Sequence, residues 1–102
     1  MTPALPAFWT EGDDGLTLRL AAAVEAAYVP TPRLQYITTG PDKLLIKVRD
    51  WRKIGPRIQV RYHVQFARDG RQIGVSTGRC WDDEMNKCAA QIARDAKRVE
   101  DR

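Results

Sequence analysis

The stretch that most constrains the fold runs from Pro56 to Trp81, PRIQVRYHVQFARDGRQIGVSTGRCW. In its first half Ile58, Val60, Tyr62, Val64 and Phe66 alternate with Arg57, Gln59, Arg61, His63 and Gln65. An unbroken period of two marks a strand with one buried face and one wet face. Asp69-Gly70 then supplies the dipeptide that tolerates positive φ at both central positions of a type I′ turn. As a two-residue loop it pairs Phe66 with Ile73, Val64 with Val75 and Tyr62 with Thr77 on the apolar face. Pattern and turn agree on a hairpin with strands near 57–67 and 71–80.

The flanking segments supply partners for its apolar face. KLLIKVRDW predicts a further strand over 43–51, with Leu44, Ile46 and Val48 inward and Leu45, Lys47, Arg49 and Trp51 outward. The link from Arg52 to Gly55-Pro56 is short enough to make it an antiparallel neighbour. From Leu16 to Tyr28 the chain reads as a helix, with Leu16, Leu20, Val24 and Ala27 as its stripe. Asp13 or Asp14 is the expected cap, and Pro30 and Pro32 the stop. Leu34–Thr38 reads as a short strand and Gly40-Pro41 as a turn. A last helix opens with Asp82-Asp83-Glu84, acids that suit the positive end of the dipole. Its apolar stripe is Met85, Cys88 with Ala89, Ile92, Ala96 and Val99. Residues 1–14, with Pro3, Pro6 and Gly12, read as a flexible lead-in in which Phe8 and Trp9 find something to pack against.

The expectation is one α+β domain over residues 15–100. It is a two-layer sandwich: one antiparallel sheet of three to four strands, covered on a single face by an N-terminal and a C-terminal helix. At 102 residues the chain can hold one core without staples. Its net charge of +4 favours anionic partners: nucleic acid, envelope head groups or an acidic protein. No apolar run approaches a membrane span, and the first residues lack the basic start and apolar middle of a signal peptide.

Catalytic and metal chemistry find little purchase. His63, the single histidine, falls on the wet face opposite Ser76 in this register, without a pocket or an orienting third group. One histidine and two cysteines eight apart make no zinc site, and the glycines form no phosphate-binding loop. No cofactor and no enzymatic activity are expected. Cys80, ending the hairpin, and Cys88, early in the last helix, are close enough to form a disulfide, which favours an oxidising compartment. Two buried free thiols of a cytosolic protein are the other reading. Strict alternation puts Cys80 on the wet face and Arg79 in the core, and a bulge at Gly78 would correct both.

The wet face is the candidate binding surface: Lys47, Arg49, Trp51, Arg57 and Arg61, with Arg79 if the bulge exists. Such a face can dock a protein or hold single-stranded nucleic acid, though it lacks the aromatic motif of RNA-binding sheets. The helix LRLAAAVEAAY, the strand KLLIKV, the hairpin QVRYHVQFARDGRQIGV and the closing GRCWDDEMNKCAAQIARDA together resemble, in element order, small envelope domains of Gram-negative bacteria. These include the amino-terminal domain of TolB-like proteins and certain lipoproteins. The resemblance implies a periplasmic accessory role in binding another protein. The alternative is a cytosolic nucleic-acid-binding module using the same arginine face.

Overall fold

A computed structural model describes the backbone of residues 4–28 and 38–100 and the side chains of residues 6–28 and 42–99. In chain order the elements are β1 (Ala4–Thr10), α1 (Gly15–Tyr28), β2 (Thr38–Ile54), β3 (Arg57–Arg68), β4 (Arg71–Trp81), a 3-10 turn (Asp82–Glu84) and α2 (Met85–Glu100). The strands form one sheet in the order β1-β2-β3-β4, with β1 parallel to β2 and the other pairs antiparallel. The fold is α+β, as the alternation requires. The sheet is mixed, because the fourth strand is not where the sequence suggested. Of the expected strand Leu34–Thr38, residues 34–37 lie outside the described residues, as do Pro30 and Pro32. The edge is supplied by the first residues, read as a lead-in, which form β1. The element order behind the envelope resemblance therefore opens with a strand.

The alternation predicts the core well. Leu44, Ile46 and Val48 of β2 and Val60, Tyr62, Val64 and Phe66 of β3 are buried together with Leu20, Val24 and Tyr28 of α1 and Met85, Ala89, Ile92, Ala93 and Ala96 of α2. Both helices thus cover the same face, and each fully buried aliphatic side chain stabilises that layer by about 1.5–3 kcal/mol. On α1 the stripe runs through Tyr28, while Ala27 is exposed, since 20, 24 and 28 keep the i, i+4 spacing. Tyr28 meets Phe8 of β1 edge-on, ring centroids 5.6 Å apart, so the strand read as a loose lead-in is anchored by its aromatic residue.

Asp14 caps α1, its carboxylate accepting from the Thr17 amide at 3.0 Å and from the Thr17 hydroxyl at 2.8 Å. These bonds hold the Asp14 carboxyl below its ordinary value of 3.8. Thr17 is fully buried, and its hydroxyl also accepts the Val48 amide of β2 at 3.1 Å, beyond the last residue that pairs with β1. One hydroxyl thereby ties the helix start to the sheet. Gly40-Pro41 is no turn. It lies within β2, where Gly40, Pro41 and Asp42 together oppose Pro6, an irregularity in which a proline without a donor is tolerated.

The hairpin turn is as read, with Asp69 at φ 53° and Gly70 at φ 81°. The register is not. Arg68 pairs with Arg71 and Ala67 with Gln72, but Phe66 pairs with Gly74, Val64 with Ser76 and Tyr62 with Gly78. Ile73 is an extra residue, and the bulge reverses the parity of the strand beyond it. Strict pairing would have driven Arg79 into the core opposite Val60; the bulge puts Cys80 there and turns Arg79 out to solvent. The irregularity thus sits at Ile73 and not at Gly78. It also lines the helix side of β4 with Gly74, Ser76, Gly78 and Cys80, small residues over which Phe66, Tyr62 and Val99 can lie. A methyl group at Gly74 would come within 3.0 Å of Val99. Cys80 then meets Cys88 from the start of α2, and the two are joined as a disulfide across a Cα separation of 6.1 Å.

Candidate functional site

Because both helices occupy one side, no described element covers the other side of the sheet. Its residues follow from parity: Lys43, Leu45 and Lys47 on β2, Arg57, Gln59, Arg61, His63 and Gln65 on β3, and Val75, Thr77, Arg79 and Trp81 on β4. A second bulge shapes the middle of this face. The β2–β3 register skips between Val48 and Asp50, so Arg49 and Asp50 both serve the open face, with Asp50 opposite Arg61. Arg61 in turn pairs directly with Arg79. One row across three strands therefore carries Arg49 with Asp50, Arg61, and Arg79.

Asp50 is already engaged. Arg61 grips both its oxygens, Nε to Oδ1 at 2.7 Å and the second fork nitrogen to Oδ2. That bidentate bond, then the neighbouring charges, holds the Asp50 carboxyl below its usual range. Among the described residues no carboxylate lies within ion-pair distance of Arg49, Arg52 or Arg79. Two adjoining hollows open here. One, of about 370 Å³, is lined by Asp50, Trp51, Arg52, Gln59, Arg61 and Arg79. The other shares Asp50, Arg61 and Arg79 and adds Arg49, with Thr77 and Gly78 on its β4 side.

Of the residues singled out in the sequence, the structure brings together Arg49, Arg61 and Arg79, with Trp51 at the rim of the first hollow, and draws Lys47 and Arg57 to other partners. Lys47 is drawn 3.3 Å from Glu11 at the end of β1. Arg57 is held at the opposite end by Asp83, 2.8 Å away, and by Glu84, with its guanidinium stacked 4.2 Å over the Trp81 ring. The Asp83 bond raises the Arg57 pKa and lowers that of Asp83. Arg57 therefore clamps the strand end to the helix start. Trp51, expected outward with Arg49, falls opposite Val60 once the bulge has shifted the phase; its parity is that of the helix side, yet it is 58% exposed at the rim of the first hollow. The aromatic residues that do share the arginine face are Trp81 and Trp9. Trp9 is 56% exposed opposite Leu45, with the Lys43 ammonium 4.3 Å over its ring.

His63 faces Thr77 and not Ser76, with its Nε2 3.5 Å from the Gln65 amide nitrogen. Ser76 lies on the helix side and donates to Asp95 of α2 at 2.8 Å, so the expected cross-strand serine–histidine pair does not exist. Sequence reasoning missed Asp50 and Trp81. Asp50 stands where a bulge breaks alternation, and Trp81 changed face when Ile73 was inserted. No helix among the described residues is long and apolar enough to cross a membrane, and no group of three metal-ligating side chains occurs among them.

No protein-family model matches the chain. Over 63 residues it is 35% identical to the 3-hydroxyacyl-acyl-carrier-protein dehydratase FabZ of Shewanella denitrificans, a stretch amounting to 62% of this chain and 39% of that enzyme. The chain thus spans about two fifths of the length of the curated relative it matches. Among solved structures it is similar to a candidate lipoprotein of Caulobacter crescentus, at a TM-score of 0.48 and 16% identity, over 90% of this chain and 84% of the other. Neither degree of likeness carries the site, which stands on its own residues.

Proposed function

We propose that this chain is a non-enzymatic accessory protein of the Gram-negative cell envelope that docks an anionic partner, a protein or an envelope component, through the open face of its sheet. The observation that carries this reading is the surplus of Arg49, Arg52 and Arg79 on a face that no described helix covers, with a single carboxylate among them that is already bound to Arg61. The Cys80–Cys88 disulfide supports an oxidising compartment, since such bonds persist outside the reducing cytosol. His63 accepts no bond from a third orienting group and donates to no carboxylate among the described residues, which suits a binding role better than catalysis. A nucleic-acid module is the second reading, favoured by Trp81 and Trp9 on the arginine face, because bases stack on exposed aromatic rings. Arg57 and Lys43 already cover those rings, which leaves them poor platforms.

The test is binding of the whole chain to anionic vesicles, to polyglutamate and to a single-stranded oligonucleotide, each at low and moderate salt. Retention by vesicles or polyglutamate that weakens with salt is the expected result. Tight oligonucleotide binding with a steep salt slope, and none to the other two, supports the nucleic-acid reading. Absence of binding to all three at low salt removes the docking function.

A further inference from the structure

We infer that the row Arg49, Arg61, Arg79 is a phosphate-binding site, selective for a phosphate dianion over carboxylates. This rests on the reading of the open face as a docking surface and names the chemistry of what it docks. The first ground is charge placed against its own interest. Arg61 and Arg79 stand directly opposite each other on neighbouring strands, a position in which like charges destabilise a sheet. Arg49 shares that row by alternation, and the bulge that follows Val48 turns Asp50 onto the open face as well, opposite Arg61, at the expense of a ladder bond. Three arginines and one aspartate leave two positive charges without a counter-ion, close to the charge of a phosphate monoester at neutral pH.

The second ground is geometry. Asp50 fixes the Arg61 guanidinium through two parallel bonds, so that group is oriented before any ligand arrives. Adjacent strands lie about 4.8 Å apart, so the outer two arginines spring from strands roughly 10 Å from each other with Arg61 between them. Long arginine side chains from either flank can converge over that width. A phosphate dianion offers three tetrahedrally arrayed oxygens and two charges to several guanidinium forks at once, whereas a carboxylate offers two coplanar oxygens and one charge. The two hollows meet along this row, sharing Asp50, Arg61 and Arg79, and Arg52 adds a further cation on the side of the first. The phosphate can belong to a soluble ligand or to a lipid head group; the recognition chemistry is the same.

The experiment titrates the whole chain with inorganic pyrophosphate, with citrate, with polyglutamate and with vesicles containing phosphatidic acid. Pyrophosphate should bind at low salt and citrate should fail to displace it. Arg79→Gln should weaken pyrophosphate binding about tenfold or more, as loss of a charged hydrogen bond requires. Arg79→Lys, which keeps the charge and loses the fork, should fall between. Arg94→Gln on the exposed side of α2 removes the same net charge and should change nothing. Thermal melts of the variants confirm that this exposed position leaves folding intact. Vesicle binding that pyrophosphate competes away assigns the phosphate to a lipid; pyrophosphate binding without vesicle binding assigns it to a soluble ligand. The inference is overturned if pyrophosphate does not bind, if citrate binds equally, or if Arg94→Gln weakens binding as much as Arg79→Gln. Polyglutamate retained without pyrophosphate binding would overturn the phosphate site and leave the docking face standing.

Discussion

A methyl group added at Gly78 would lie 2.7 Å from the Tyr62 hydroxyl and 3.0 Å from the ring carbon that bears it, closer than packed atoms tolerate. Tyr62 cannot easily give way. It is buried between β4 and α2, where burial and then the nearby Asp95 charge raise its pKa above the usual tyrosine value. Gly78→Ala should therefore destabilise the protein by about 1–3 kcal/mol, as overpacking does. Removing the hydroxyl in the same chain with Tyr62→Phe should recover part of that loss. Chemical denaturation of the two single variants and the double variant reads both effects, and a double variant no better than Gly78→Ala would show that the close approach is not the cause.

Elements were legible where period and turn chemistry agree, and obscure where an extra residue breaks the period. Leu44, Ile46 and Val48, the β3 alternation, Asp69-Gly70 and the Met85–Val99 stripe all fell where their spacing placed them. β1 did not announce itself, because a parallel edge strand carrying Pro6 has neither strict alternation nor a neighbouring turn, and its partner β2 lies beyond a whole helix. The disulfide joins a strand end to a helix start and so staples two elements that are consecutive in the chain. Closing a loop of eight residues contributes about 2–3 kcal/mol in the chain-entropy account. The unreduced protein should weigh two hydrogens less than the reduced one, and reduction should lower its melting temperature. Two free thiols that label after unfolding without reductant would remove both the staple and the main argument for an oxidising compartment.

At the scale of the molecule, two layers divide the labour. One side of the sheet buys nothing from water and is sealed by α1 and α2; the other holds the surplus of charge that gives the chain its net +4. The candidate site was half visible from sequence: alternation put Arg49 and Arg61 on one face, and the awkwardness of a buried arginine pointed Arg79 outward. The row they form was hidden, since Arg79 joins it opposite Arg61 only through the bulge at Ile73, and Asp50 enters it only through the bulge after Val48. The bulge at Ile73 has a consequence for how this sequence can change. From Gly74 to Trp81 the chain is written in a second reading frame, and Ile73 is the punctuation that shifts it. Composition downstream is free to drift within each phase, but length is not. Deleting Ile73 should turn Val75, Thr77 and Arg79 toward the helices and Cys80 toward solvent, abolishing cooperative folding and disulfide formation together. Ile73→Ala, which keeps the frame, should cost only about 1–3 kcal/mol. Denaturation curves and the oxidised mass of the two variants compare them directly, and a deletion variant that still folds with its cysteines paired would show that the frame can reset. For a hairpin like this one, an inserted or lost residue is a graver event than almost any substitution.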